Sequence, residues 1–164
     1  MKPHDRQKHK GRSERGGFSL IPYAVQDSPN WHRCGGTAIK LLLALTRQYN
    51  GRNNGDLCAS ASVLEKYGLT RSGANPLAAR ELRYYGLIAL TRQGGLHGPS
   101  LYALSWQAID DRGGKLDCAP THVASGDWRT PCEPFIRPPK KQNASTESVT
   151  RRDGFRRSEP KKAA

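Results

Sequence analysis

Residues 37–49 place Ala38, Leu41, Leu42, Leu45 and Tyr49 at i, i+3, i+4, i+7 and i+11, and Ile39 and Leu43 broaden the same face. That spacing gathers on one side of an α-helix and on neither face of a strand. So wide an apolar stripe needs burial on most sides, which constrains the chain to a fold built around one central helix. Lys40 and Arg47, seven residues apart, share what polar surface remains. Asn50-Gly51 ends the helix, because both residue types tolerate the left-handed conformation of a helix C-terminus.

Shorter elements flank it. Ser28-Pro29 is a helix start, with Ser as cap and Pro in the first helical position, and the turn it opens carries Trp31 inward. Phe18, Leu20, Ile21, Tyr23 and Val25, broken by Pro22, predict an extended apolar segment that covers a domain edge or a partner subunit. After the polar loop Arg52-Asn53-Asn54-Gly55 comes a short strand, Asp56-Leu57-Cys58. Ser60 or Ser62 then caps a second main helix with Val63, Leu64 and Tyr67 inside. Gly68-Leu69-Thr70 reads as a tight turn. A third helix, capped by Thr70 or Ser72, runs to about Tyr85 and stops at Gly86, with Ala74, Leu77, Ala78, Leu82 and Tyr85 facing the core. Pro76 requires a late start or an irregular first turn, where a missing N–H costs nothing.

Beyond Gly86 the apolar period changes from 3.6 to 2. Ile88 and Leu90 alternate with Ala89 and Thr91; Tyr102, Leu104 and Trp106 alternate with Ala103 and Ser105. The Gly-rich stretch from Arg92 to Pro99 between them predicts a β-hairpin. Three helices, a tight turn between the second and third, and then a hairpin make a mainly α fold, the winged helix-turn-helix: a three-helix core plus a two-stranded wing. The organisation expected is a disordered basic arm over 1–17, the domain over 18–106, an irregular extension over 107–136 with contacts from Ile109, Leu116, Trp128 and Phe135, and a disordered basic tail over 137–164.

Charge narrows the partners. Lys and Arg number 27 against 14 acidic residues, a formal +13. The arm (Lys2, Arg6, Lys8, Lys10, Arg12 and Arg15 against Asp5 and Glu14) and the tail concentrate that excess. A polyanion is the default partner of such a chain. No segment has the ~20 consecutive apolar residues that cross a bilayer, and the basic N-terminus lacks the apolar stretch of a secretion signal. The expectation is a cytoplasmic, nucleoid-associated protein without membrane contact. Cys34, Cys58, Cys118 and Cys132 show no paired short spacing. Cys118, His122 and Cys132 make a zinc set only on paper, so reduced thiols and no metal or cofactor are expected.

On this fold the third helix lies in the major groove of double-stranded DNA. Arg71, Asn75 and Ala79 stand at i, i+4 and i+8 on its expected polar face, beside Ser72 and Arg83. Arg forks onto guanine and Asn onto adenine, so Arg71, Ser72 and Asn75, with Thr70 at the helix start, are the candidates for base contacts. Arg80 and Arg83, further along, and Lys66, before the turn, suit phosphates. On the wing, Arg92, Gln93 and His97 reach toward backbone or minor groove. Gly94-Gly95 is turn chemistry, because no helix N-terminus follows it to cradle a phosphate.

Several of these stretches together resemble prophage and mobile-element winged-helix proteins. They are Tyr49-Asn50-Gly51 with Asn54-Gly55-Asp56-Leu57, the junction Arg80-Glu81-Leu82 with Gly86-Leu87-Ile88, and Thr91-Arg92-Gln93-Gly94-Gly95. The resemblance covers residues 41–106. It implies the fold and DNA binding in the regulation or replication of a mobile element, and it carries over no catalytic residue.

The leading expectation is a transcriptional regulator. The alternatives are a replication-initiation factor that binds an origin and recruits a protein through its C-terminal tail, and a non-catalytic module that binds RNA or a host protein. An enzyme is not expected: no nucleotide-binding loop, paired-carboxylate metal site or nucleophile with its base is visible, and Asp110-Asp111 reads as a cap or loop pair. A homodimer would match a palindromic site, and residues 18–25 are its candidate interface.

Overall fold

The computed structural model describes residues 17–69, 74–96 and 98–138. Among these are five helices: α1 (Tyr23–Gln26), α2 (Pro29–Arg33), α3 (Gly36–Gln48), α4 (Ala61–Glu65) and α5 (Ala74–Tyr84). Three short strands, β1 (Leu57–Cys58), β2 (Ile88–Arg92) and β3 (Leu101–Leu104), form an antiparallel sheet in the order β1-β3-β2. The sheet therefore has three strands where the hairpin reading expects two. Leu57 pairs with Tyr102 and Cys58 with Leu101, so the loop after α3 returns to close the edge that β3 would otherwise expose.

The central helix forms where its periodicity predicts, but Leu43 turns outward at 46% exposure, the helix ends at Gln48 with Tyr49 as an extended cap, and Gly51, at φ +94°, lies beyond it in the loop. Ala38, Leu41, Leu42, Ala44 and Leu45 are buried, and α3 packs along α5 against Ala78, Ala79 and Leu82. Alanines on both helices let the two axes approach closely. Both α4 and α5 end in the same way. Beyond α4, Gly68 takes φ +70° while Leu69 N–H bonds to Leu64 O; beyond α5, Gly86 takes φ +65° while Leu87 N–H bonds to Leu82 O. These are Schellman closures, each with a buried leucine pair across the last turn. Gly86 has a second reason to lack a side chain, since a Cβ there would stand 2.7 Å from the Asp127 carbonyl carbon. Pro76 is the third residue of α5, still within the turn whose N–H groups lack helical acceptors.

Residues 18–25 do not run as one extended segment, because from Tyr23 they coil into α1. Pro22 caps α1, Val25 is fully buried in the domain's own core, and Phe18, Leu20 and Tyr23 stay exposed. In α2, Ser28 is the cap and its Oγ accepts from Trp31 N–H. Trp31 is half-buried, and the residue held most deeply in α2 is Asn30.

Two asparagines act as staples. Asn30 Nδ2 lies within 3.2 Å of the carbonyls of Tyr85, Trp128 and Thr130, and its Oδ1 accepts from Cys132 N–H at 2.9 Å. Asn54 Nδ2 faces the carbonyls of Leu104, Gln107 and Ala108, and its Oδ1 accepts from Leu104 N–H at 2.7 Å. Asp110 adds its own cross-link by accepting from Asn54 N–H. Residues 107–138 have little regular structure apart from a 3₁₀ turn at Asp127–Arg129, yet they are integral to the core, where Trp128 is buried. A bulge at Thr91 shifts the β2–β3 register and lets Thr91 Oγ1 donate to Gly55 O.

Asp56 fastens the 112–115 turn through Arg112 at 3.0 Å and Lys115 at 2.5 Å. Burial pushes its carboxyl up, but hydrogen bonds and charge from Lys115 and Arg112 outweigh that and hold it below the usual 3.8. A carboxyl depressed in the folded state contributes stability that is complete above the unfolded-state value and is lost as pH falls through the folded one. The melting-temperature gap between wild type and Asp56→Asn is therefore expected near neutral pH and should close in strong acid. Because both partners are well exposed, the gap corresponds to about 1 kcal/mol or less.

Candidate nucleic-acid interface

The exposed stripe of α5 consists of Pro76, Arg80, Arg83 and Tyr84, at i, i+4, i+7 and i+8. Its buried stripe is Asn75, Ala78, Ala79 and Leu82. This corrects the sequence reading of the helix's polar face. Asn75 is 8% exposed and Ala79 5%, so neither side chain is presented to a groove. The cause is the close α3–α5 packing, which takes Ala79 as a contact and rolls the core-facing arc toward position 75. Thr70, Arg71, Ser72 and His97 lie outside the described residues.

Arg80 and Arg83 make no hydrogen bond or ion pair among the described residues; the ion pairs there belong to Arg112, Lys115 and Arg137. They line a groove of about 390 Å³ together with Tyr84 and Phe135. Lys66 stands exposed at the end of α4. Nearby, Lys40 Nζ donates to Gly68 O at 2.7 Å and braces the turn that leads to α5, a role its place on the polar stripe of α3 did not indicate.

The wing residues form a separate cluster. Arg92 is half-buried and donates to Pro99 O at 3.1 Å, while Gln93 is exposed and its N–H is held by Asp117 Oδ2 at 2.7 Å. Both line a cavity of about 340 Å³ with Asp117, whose carboxylate offsets part of the positive charge there. The wing tip is closed by a bridge between Gly95 and Gly98, and a Cβ at Gly94 would collide with the Ser100 backbone at 2.3 Å, in line with turn chemistry at Gly94-Gly95.

Glu81 was not singled out as a functional candidate, yet it organises this face. Buried on α5, it accepts from Gly35 N–H, the cap of α3, at 2.6 Å through Oε1, and pairs with Arg137 at 3.1 Å through Oε2. A carboxylate at a helix N-terminus offsets the positive end of the helix dipole. The same charge adds to burial in pushing the neighbouring Cys34 thiol up to about 12, which keeps it protonated and inert. Asp110 and Asp111 bond backbone amides at Asn54 and Gly113, as loop residues do. Among the described residues no group of His, Cys, Asp and Glu is clustered to hold a metal ion, and no helix is long and apolar enough to cross a membrane.

No protein-family model matches the chain, and comparisons with curated proteins and with solved structures find no significant match.

Proposed function

We propose that the chain is a DNA-binding protein of the winged helix-turn-helix class, with α5 as the helix that enters the major groove of double-stranded DNA. The observation that carries this reading is the exposed arginine pair on the outer face of α5, without partners among the described residues, behind a turn braced by Lys40. The element order supports it: α3, β1, α4, the Gly68 turn, α5, then β2, a Gly-rich loop and β3 follow the order of that class. The third strand, β1, is compatible with a wing sheet closed at its inner edge.

In this reading Arg80, Arg83 and Lys66 meet phosphates, and Thr70, Arg71 and Ser72, just before α5, remain the candidates for base contacts. Arg92 and Gln93 serve as a lesser contact because their charge is shared with Asp117. Transcriptional regulation of a mobile element is the role the resemblance of residues 41–106 favours. No catalytic step is assigned.

The test is binding of the purified protein to duplexes selected from a random pool, measured by fluorescence anisotropy across a salt series. Replacing Arg80 and Arg83 with Ala should lower affinity at least about tenfold. It should also reduce the slope of log K against log salt by nearly two, at about 0.9 per phosphate contact. An unchanged slope and affinity would remove α5 from the interface.

A further inference from the structure

The groove beside α5 holds more than charge. Tyr84 and Phe135 line it next to Arg80 and Arg83, their ring centroids 5.4 Å apart and their planes tilted by 55°. Tyr84 is 45% exposed, although Tyr85 and Phe135 both pack against its ring. Phe135 is held in place from behind, where its N–H donates to the Tyr85 hydroxyl at 2.9 Å. Two residues on, Arg137 is pinned to Glu81, so this short strap is anchored at one end to Tyr85, just past α5, and at the other to α5 itself.

A contact made only to duplex phosphates needs cations, not rings. Two guanidinium groups without partners among the described residues, beside a half-exposed Tyr84 ring and a partly buried Phe135 ring, match a nucleotide unit whose base is unstacked, with its phosphate on the arginines and its base against a ring. A groove of about 390 Å³ is also the right order of size for one such unit. We infer that the groove formed by Arg80, Arg83, Tyr84 and Phe135 binds single-stranded nucleic acid, one unpaired nucleotide at a time. The inference rests on the reading of α5 as the DNA-facing helix and extends it. A duplex lying along α5 with a melted or unpaired stretch at its edge would fill both surfaces. That combination suits the replication-initiation reading better than simple repression.

The experiment compares a short oligo(dT), a fully paired duplex and free dTMP as ligands of the full chain, with Tyr84→Ala, Phe135→Ala and Tyr84→Phe variants. Oligo(dT) affinity should fall about tenfold or more in each alanine variant, because base–aromatic stacking contributes on that scale. Tyr84→Phe keeps the ring and should bind as wild type does. Duplex affinity should hold in all three, and dTMP alone should bind far more weakly than the oligomer. Melting curves identify any alanine variant that loses its fold; for that position the corresponding leucine variant, which removes the ring but keeps apolar bulk, carries the comparison. Ring-independent oligo(dT) binding, or none at moderate salt, overturns the inference. Loss of duplex binding in Arg80→Ala/Arg83→Ala remains a separate result, so either reading can fail alone. Tight dTMP binding would redirect the site to free nucleotides and overturn it as well.

Discussion

A chain cut after Trp106, where the hairpin ends, should fail to fold cooperatively. The cut removes Trp128 from the core and every partner of the Asn30 side chain except Tyr85 O. It also removes the Gln107, Ala108 and Asp110 partners of Asn54. Loss of a large buried aromatic alone costs about 3–5 kcal/mol, a large share of the roughly 5–15 kcal/mol available to a typical domain. Buried amide groups left without partners each add about 1–3 kcal/mol. Circular dichroism melting of the truncated chain against the full one reads this directly. A sharp transition within a few degrees of the full chain would mean that residues 107–138 are an accessory layer. A graded version is Trp128→Ala against Trp128→Phe. Phe keeps most of the packing, and the indole N–H it removes is buried and finds no acceptor among the described residues. The Phe variant should therefore sit far closer to wild type than the Ala variant.

The second large effect is expected at Asn54. Replacement by Leu, which shares its branching but is bulkier, strips four hydrogen-bonding opportunities from a fully buried position and takes their Asn54 partner from the Leu104 N–H and the carbonyls of Gln107 and Ala108. A destabilisation of about 3 kcal/mol or more follows. For a domain of this size that corresponds to roughly 10–15 °C in Tm. Asn54→Asp keeps the acceptor for Leu104 N–H but turns the amide donor into a carboxylate facing three carbonyls, so it should be no better than Leu. A small effect in both would show that the loop between α3 and β1 tolerates independent motion.

Both expectations concern residues whose importance is hard to read from a sequence. The α3 stripe was legible because Ala38, Leu41, Leu42 and Leu45 repeat at one period, although Leu43, read with them, faces outward, and Gly68 and Gly86 were legible because a left-handed closure needs glycine. The hairpin was legible from its change of period. Asn30 and Asn54 were not, because an asparagine beside Pro or Gly has the local signature of a turn whether it faces water or a ring of carbonyls. The 107–138 segment carries no period at all, since side chain–backbone bonds and single anchors such as Trp128 hold it. On α5, alanine is the ambiguous letter: Ala79 fits a solvent face or a close helix contact equally well, and taking it for the former turned the expected polar face the wrong way. Arg80 and Arg83 survive that error because they lie on the true outer stripe. Phe135 joins them only through tertiary structure, more than fifty residues away along the chain.

The Asn30 staple also bears on the order in which the protein can be made. Its amide closes on groups 98, 100 and 102 residues later in the chain. Synthesis proceeds from the N-terminus at about 5–20 residues per second, so the ribosome needs roughly another 5–20 seconds after Asn30 before those partners exist. Helices α3 and α5 can condense during that interval, but of the groups that hold Asn30 only Tyr85 O is yet in place. The nascent chain must therefore pass through a state with the Trp128 socket open and apolar, and the last part of the domain to be translated is the part that seals it.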